Sequence, residues 1–242
     1  MTHPTRFIQT ILEQPNEDSP RLCYADWLEG NRNPLGEFIR LQCNPDRSRE
    51  RREQELLAEH RGEWSAALAD CVRWCSFRRG FIEEVALSDL QLIRHARDLF
   101  AQAPIRDVHL SNDGNRLHAL PALDDARATF FLDLSSQRLG DDRIKRLADA
   151  PMLAHVHGLN VSNVGLSDDG LVSLFASPFL TQLRELYLNE NPIHDDAIRR
   201  CLMSPALEKL DWLDIRFTKL TDESVGILQR ILGGKVRYGN TY

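Results

Sequence analysis

LDLSSQRLGDDRI (132–144), LNVSNVGLSDDGL (159–171), LYLNENPIHDDAI (186–198) and LDIRFTKLTDESV (213–225) are four copies of one pattern. Their first residues fall at 132, 159, 186 and 213, a period of 27 residues kept three times running. The copies also match at their third, eighth, tenth and thirteenth positions, an agreement that chance does not supply. Apolar residues at the first and third positions alternate with other side chains, and Val156, Leu183 and Leu210 lie three residues earlier. This alternation predicts a short strand with one buried face. The eighth residue (Leu139, Leu166, Ile193, Leu220) turns the chain inward, and an acidic pair follows: Asp141-Asp142, Asp168-Asp169, Asp195-Asp196, Asp222-Glu223. Behind each pair runs helical spacing, such as Ile144 and Leu147 or Ile198 and Leu202. Acids at a helix start accept free N–H groups and complement the helix dipole. The pairs are therefore expected to cap these helices rather than to bind calcium or do chemistry.

Upstream the period loosens. Val85–Leu87 and Val108–Leu110 read as two irregular copies of the strand, with a helix through Leu90, Ile93, Leu99 and Phe100 between them. Asn112–Asn115 is a turn signal. Val236–Tyr238, after Gly233-Gly234, adds a last edge strand. The first 77 residues differ in kind. Phe7, Ile8, Ile11 and Leu12 have helical spacing, Ser19-Pro20 opens a second helix that Gly30 ends, and a third spans about 35–43. Mixed charges from Asp46 to Arg61 read as a solvated helix face, and Trp64, Leu68, Val72 and Cys75 as one more helical stripe.

The four copies resemble the leucine-rich repeat family of the ribonuclease-inhibitor type, LxxLxLxxNxL followed by a helix, from about 126 to 242. The resemblance implies an α/β fold: a right-handed solenoid with a parallel sheet on its concave face and helices on its convex face. The family's asparagine position holds Gln137, Val164, Asn191 and Thr218, so the asparagine ladder is partial or replaced. The run from Arg21 to Cys43, then LLAEHRGEW (56–64), resembles the small repeat-companion domain of planctomycete-type bacterial proteins. The match rests on Pro20, Arg21, Leu22, Tyr24–Glu29, Gly36–Arg40 and Gln42, with Arg79–Phe81 further on. That resemblance implies a bacterial, cytosolic setting and no activity. The expected organisation is an all-α capping domain over 1–77, then repeats over 78–242, two irregular and four regular.

The chain has 242 residues, 42% hydrophobic and 27% charged, which is ordinary for a globular protein and excludes a disordered chain. A net charge of −6 argues against general nucleic-acid binding, which needs a basic surface. No apolar run is long enough to span a membrane. The start lacks the basic and apolar pattern of a secretory signal, so a cytoplasmic protein is expected. Five sparse cysteines (Cys23, Cys43, Cys71, Cys75, Cys201) read as free thiols in a reducing compartment. Cys71 and Cys75, or His155 and His157, lack the further ligands a metal would need. No nucleotide-binding, nucleophile-elbow or zinc-protease motif occurs, so neither a catalytic site nor a cofactor is expected.

Residues flanking the buried leucines face outward on the strands. They include Asp107, His109 and Ser111; Phe131, Asp133 and Ser135; and Gly158, Asn160 and Ser162. The C-terminal set is Glu185, Tyr187, Asn189, Trp212, Asp214 and Arg216, expected to bind a protein or peptide partner because Trp, Tyr and Arg dominate interface energetics. The acids on this face outnumber the bases, which points to a basic partner. A monomer is expected. The alternatives are a structural subunit that self-associates and an enzyme whose site carries no motif.

Overall fold

The computed structural model describes residues 3–44, 50–111, 116–123 and 129–239. The chain divides into two compact units, Met1–Leu87 with His95–Arg106, and Ser88–Arg94 with Asp107–Tyr242.

The first unit carries helices α1 (His3–Glu13), α2 (Ser19–Gly30), α3 (Pro34–Cys43) and α4 (Glu50–Ser65). Pro34 stands in the first turn of α3, and the Asn33 side chain accepts the Leu35 N–H at 2.9 Å, so sequence alone dictates that helix start. Ile11, Tyr24, Ala25, Leu28, Ile39 and Phe81 form one apolar cluster, and Phe38, Trp64 and Phe77 a second, with ring centroids 4.8–6.3 Å apart. Only Leu56 is buried on α4, as its charge pattern requires.

Two strands follow, β1 (Trp74–Arg78) and β2 (Phe81–Ser88), paired antiparallel. Their two-residue turn, Arg79-Gly80, has positive φ at both positions (52° and 86°), the backbone of a tight hairpin. A Cβ on Gly80 would stand 2.2 Å from Ile39 Cγ1, so glycine is required there twice over. The hairpin also carries a buried ion network. Glu83, 3% exposed, accepts from Arg21 Nη2 at 2.7 Å and from Arg79 Nη2 at 2.9 Å. Arg21 is fully buried, and burial lowers its pKa against the pull of Glu83.

The second unit carries β3 (Asp107–Ser111), β4 (Phe130–Asp133), β5 (Val156–Asn160), β6 (Glu185–Tyr187), β7 (Trp212–Asp214) and β8 (Val236–Arg237), parallel neighbours in chain order. Helices α6 (Gly140–Ala148), α7 (Asp168–Phe175), α8 (Asp195–Cys201), α9 (Pro205–Glu208) and α10 (Asp222–Leu232) alternate with them, and the division between the units runs through α5 (Asp89–Gln102). Leu132, Leu159, Leu186 and Leu213 are register partners on β4 to β7, each essentially inaccessible. Burying one such leucine contributes about 2 kcal/mol. The period of 27 residues is thus one strand step. It recurs in the backbone: Ser136, Asn163, Glu190 and Phe217 all adopt positive φ (52–61°) at the same position. Each donates its N–H to a carbonyl one strand on, of Ser162, Asn189, Arg216 and Gly239 respectively.

The acidic pairs stand in the first turns of α6, α7, α8 and α10, as expected, but the expected capping bonds are not made. None of the helices α6, α7, α8 and α10 has a side-chain cap hydrogen bond at its N-cap. In three of the four pairs the first acid instead reaches across to the turn 26 residues on. Asp141 accepts the Ser167 N–H at 2.8 Å, Asp168 the His194 N–H at 2.7 Å, and Asp195 the Thr221 N–H at 2.9 Å. Each recipient is the residue just before the next helix, so the bond ties neighbouring turns together. The single asparagine works across strands too. Asn191, 2% exposed, donates to the Val161 and Leu188 carbonyls and accepts from the Val164 and Leu166 N–H groups. Val164, which has no polar side chain, is served by its neighbour. Gln137 makes the corresponding bond to the Leu110 carbonyl at 2.6 Å.

The expected fold class is corrected by these findings. The protein is α/β, with eight strands among the described residues, mostly parallel and not closed on themselves. The first pair is antiparallel and belongs to the N-terminal unit, which is therefore not all-α. The stripe of Trp64, Leu68, Val72 and Cys75 is not one helix: α4 ends at Ser65, a short 3-10 turn covers Ala66–Leu68, and Cys75 lies in β1. Alternating burial along β1 and β2 stabilises strands where i, i+4 spacing had suggested a helix. Among the described residues, no helix is long and apolar enough to cross a membrane.

Candidate functional site

Strands β4 to β7 expose one face between their buried leucines. Register sets its first row as Phe131, Gly158, Glu185 and Trp212, and its second as Asp133, Asn160, Tyr187 and Asp214. A third row follows just beyond the strands, with Ser135, Ser162, Asn189 and Arg216.

In the second row, three of the four residues serve the backbone. Asp133, Asn160 and Asp214 each accept the N–H two residues on, from Ser135 (2.8 Å), Ser162 (3.1 Å) and Arg216 (3.1 Å). Such turns explain a short Asp or Asn at a strand end without a ligand. Tyr187 is the exception, since a phenol cannot reach that N–H.

Tyr187 is half-buried, and its ring meets Phe131 edge to face at 5.6 Å and 68°. Phe131 gets there across Gly158, whose added Cβ would lie 2.3 Å from Phe131 Cδ2. The glycine leaves the notch that lets one ring lie over the intervening strand. The Tyr187 hydroxyl donates to Glu185 Oε2 at 3.3 Å, and burial first, then the Glu185 carboxylate, raise the Tyr187 pKa. Trp212, half-buried, is the register partner of Glu185, and its indole Nε1 is buried without a hydrogen-bond partner.

Two expectations for this surface are corrected. Asp214 is 1% exposed rather than available to a partner. Arg216 covers it with a forked contact, Nη2 to Oδ2 at 2.8 Å and Nε to Oδ1 at 3.0 Å, and this bond raises the Arg216 pKa. Asn189 is half-buried, and its side-chain oxygen is engaged by Ser162 Oγ at 2.6 Å. The six expected residues thus separate into a half-buried group on the exposed face (Glu185, Tyr187, Trp212), a self-satisfied ion pair (Asp214, Arg216) and a turn residue (Asn189). Phe131 joins the first group. Its signal was in the sequence as the glycine inside strand 156–160. Ser88, at the end of β2, is buried and caps α5 reciprocally with Gln91.

No group of three or more metal-ligating side chains occurs among the described residues. Burial pushes the Cys43 and Cys201 thiols up to about 11, so neither is an activated nucleophile. The first unit contains an apolar cavity of about 440 Å³ whose walls include Tyr24, Trp64, Phe77 and Phe81, side chains of its own core. No protein-family model matches the chain, and a search of curated proteins finds no match either.

Proposed function

We propose that this chain is a non-enzymatic interaction module, bacterial and cytoplasmic, that binds a protein or peptide segment of basic character on the exposed face of β5 to β7. The observation that carries this reading is the cluster of Phe131, Tyr187, Trp212 and Glu185. It gathers aromatic surface on a rigid sheet where turn-forming Asp and Asn occupy the equivalent positions of neighbouring strands. Aromatic side chains on a preorganised scaffold supply contact area at low entropic cost. The similarity of residues 126–242 to leucine-rich repeats, whose usual work is binding, supports the same reading by analogy.

The test is partner capture from the native cell with wild-type protein and with Tyr187→Ala and Trp212→Ala. A retained cooperative fold with loss of a partner is expected for both variants, and unchanged recovery with both rejects this surface. A second reading, self-association, is favoured by the C-terminal end, where Ile231 and Tyr238 are 40% and 52% exposed beside the last strand. Light scattering across concentration separates the two, since a strict monomer removes self-association.

A further inference from the structure

The carboxylates on the exposed face are not equivalent. Asp133 faces His109 Nδ1 at 3.4 Å, Asp214 is held by Arg216, and Asp211 is held by Lys235 Nζ at 2.8 Å with Arg184 at 3.9 Å. Glu185 has no cationic partner among the described residues. Its side-chain hydrogen bond among the described residues is from the Tyr187 hydroxyl to Oε2 at 3.3 Å. On one side its row continues to Gly158, over which the Phe131 ring lies, and on the other to Trp212.

We propose that Glu185, with Tyr187, Phe131 and Trp212, is the receptor for an arginine side chain of the bound segment. This rests on the reading of the face as a binding surface and names what that surface recognises. A guanidinium is planar. It can set its edge on the Glu185 carboxylate while its face lies on a neighbouring ring, which an ammonium cannot do with the same geometry. The chain supplies the precedent for such a contact one strand away, where the Arg216 fork covers Asp214. Half-burial of Glu185 and Tyr187 reduces solvent screening of the charge, while Arg216 and Arg184 are paired with Asp214 and Asp211.

The experiment titrates the full-length, 15N-labelled protein with capped Gly-Arg-Gly, and in parallel with the lysine peptide and the neutral citrulline peptide. The Trp212 indole N–H and the Gly158 and Glu185 amides report binding. The arginine peptide is expected to shift all three saturably, with the lysine peptide weaker and citrulline without effect. Glu185→Gln, a half-exposed and isosteric change, should weaken arginine binding about five- to tenfold with an unchanged melting temperature. Tyr187→Phe, which removes only the hydroxyl that orients the carboxylate, should weaken it less. Equal shifts with citrulline, tighter binding of lysine, or undiminished binding to Glu185→Gln would each overturn the proposal. The two readings also fail separately. A captured partner lost on Tyr187→Ala but retained by Glu185→Gln removes the arginine site and leaves the surface. Arginine binding with no patch-dependent partner removes the interaction module and leaves the site.

Discussion

Replacing Gly158 by alanine tests how the aromatic cluster is built. The new Cβ would stand 2.3 Å from Phe131 Cδ2, 2.9 Å from Cε2 and 3.3 Å from Cγ, so the ring must leave. Phe131 is half-buried and can swing toward solvent, which keeps the overpacking cost small. Its departure breaks the edge-to-face contact with Tyr187, about 0.5–1.5 kcal/mol. Against this, alanine restricts the unfolded chain and stabilises by about 0.4–1 kcal/mol at a strand position without positive φ. The two nearly cancel, so Gly158→Ala alone should change stability by less than about 1 kcal/mol. The informative measurement is the double-mutant cycle with Phe131→Ala, read by urea unfolding. Once the ring is gone, Gly158→Ala should stabilise by about 0.4–1 kcal/mol, giving a coupling of about 1 kcal/mol between the sites. The nuclear Overhauser contacts between Phe131 and Tyr187 should vanish in Gly158→Ala. An identical effect of Gly158→Ala in both backgrounds would refute the notch.

Other expectations concern the framework. Asn191→Ala strands two carbonyls and two N–H groups in a buried site and should cost at least about 3 kcal/mol by urea unfolding. A loss under 1 kcal/mol would mean that the ladder is carried elsewhere. Glu83→Gln leaves the fully buried Arg21 and the half-buried Arg79 with a neutral partner and should cost about 3–5 kcal/mol, detectable as a large fall in melting temperature. An unchanged melting temperature would show that solvent reaches the pair. The Thr221 backbone N–H and neighbouring hydroxyls lower the Asp195 pKa. A depressed carboxylate stabilises above its unfolded value and loses that contribution as pH falls through the folded one. Stability should therefore drop below about pH 4, with a shallower drop in Asp195→Asn. A variant whose acid limb overlays the wild type would contradict the bond to Thr221.

The sequence carried the strand ladder because a fixed interval between buried leucines is a statement about register, and Leu132, Leu159, Leu186 and Leu213 repeat without a slip. It carried the cluster of Tyr187 and Trp212 because side-chain direction alternates along a strand. It did not carry partner choice among polar groups. An acid at a helix start has two nearby sets of N–H groups, those of its own helix and those of the adjoining turn, and spacing does not separate them. Asp214 was misread for a related reason: alternation gives the direction of a side chain but not whether Arg216 lies over it. Trp64, Leu68, Val72 and Cys75 fit one helical interval by coincidence, since the helix ends at Ser65 and Cys75 lies in β1. The alternating residues from Cys75 to Val85 bury better as a hairpin closed by Arg79-Gly80. The role of Phe131 is not legible from its own strand because its placement depends on the absence of a side chain at Gly158 on the next.

A partner seated on the exposed face of β5 to β7 lies within reach of Tyr187. A photoreactive phenylalanine analogue installed at position 187, and separately at the helix-side residue Met203, which is 91% exposed, tests it inside the native cell. A discrete crosslinked species is expected from position 187, absent from position 203 and weakened by Trp212→Ala. Crosslinking that is equal at both positions, or absent at 187, would contradict it.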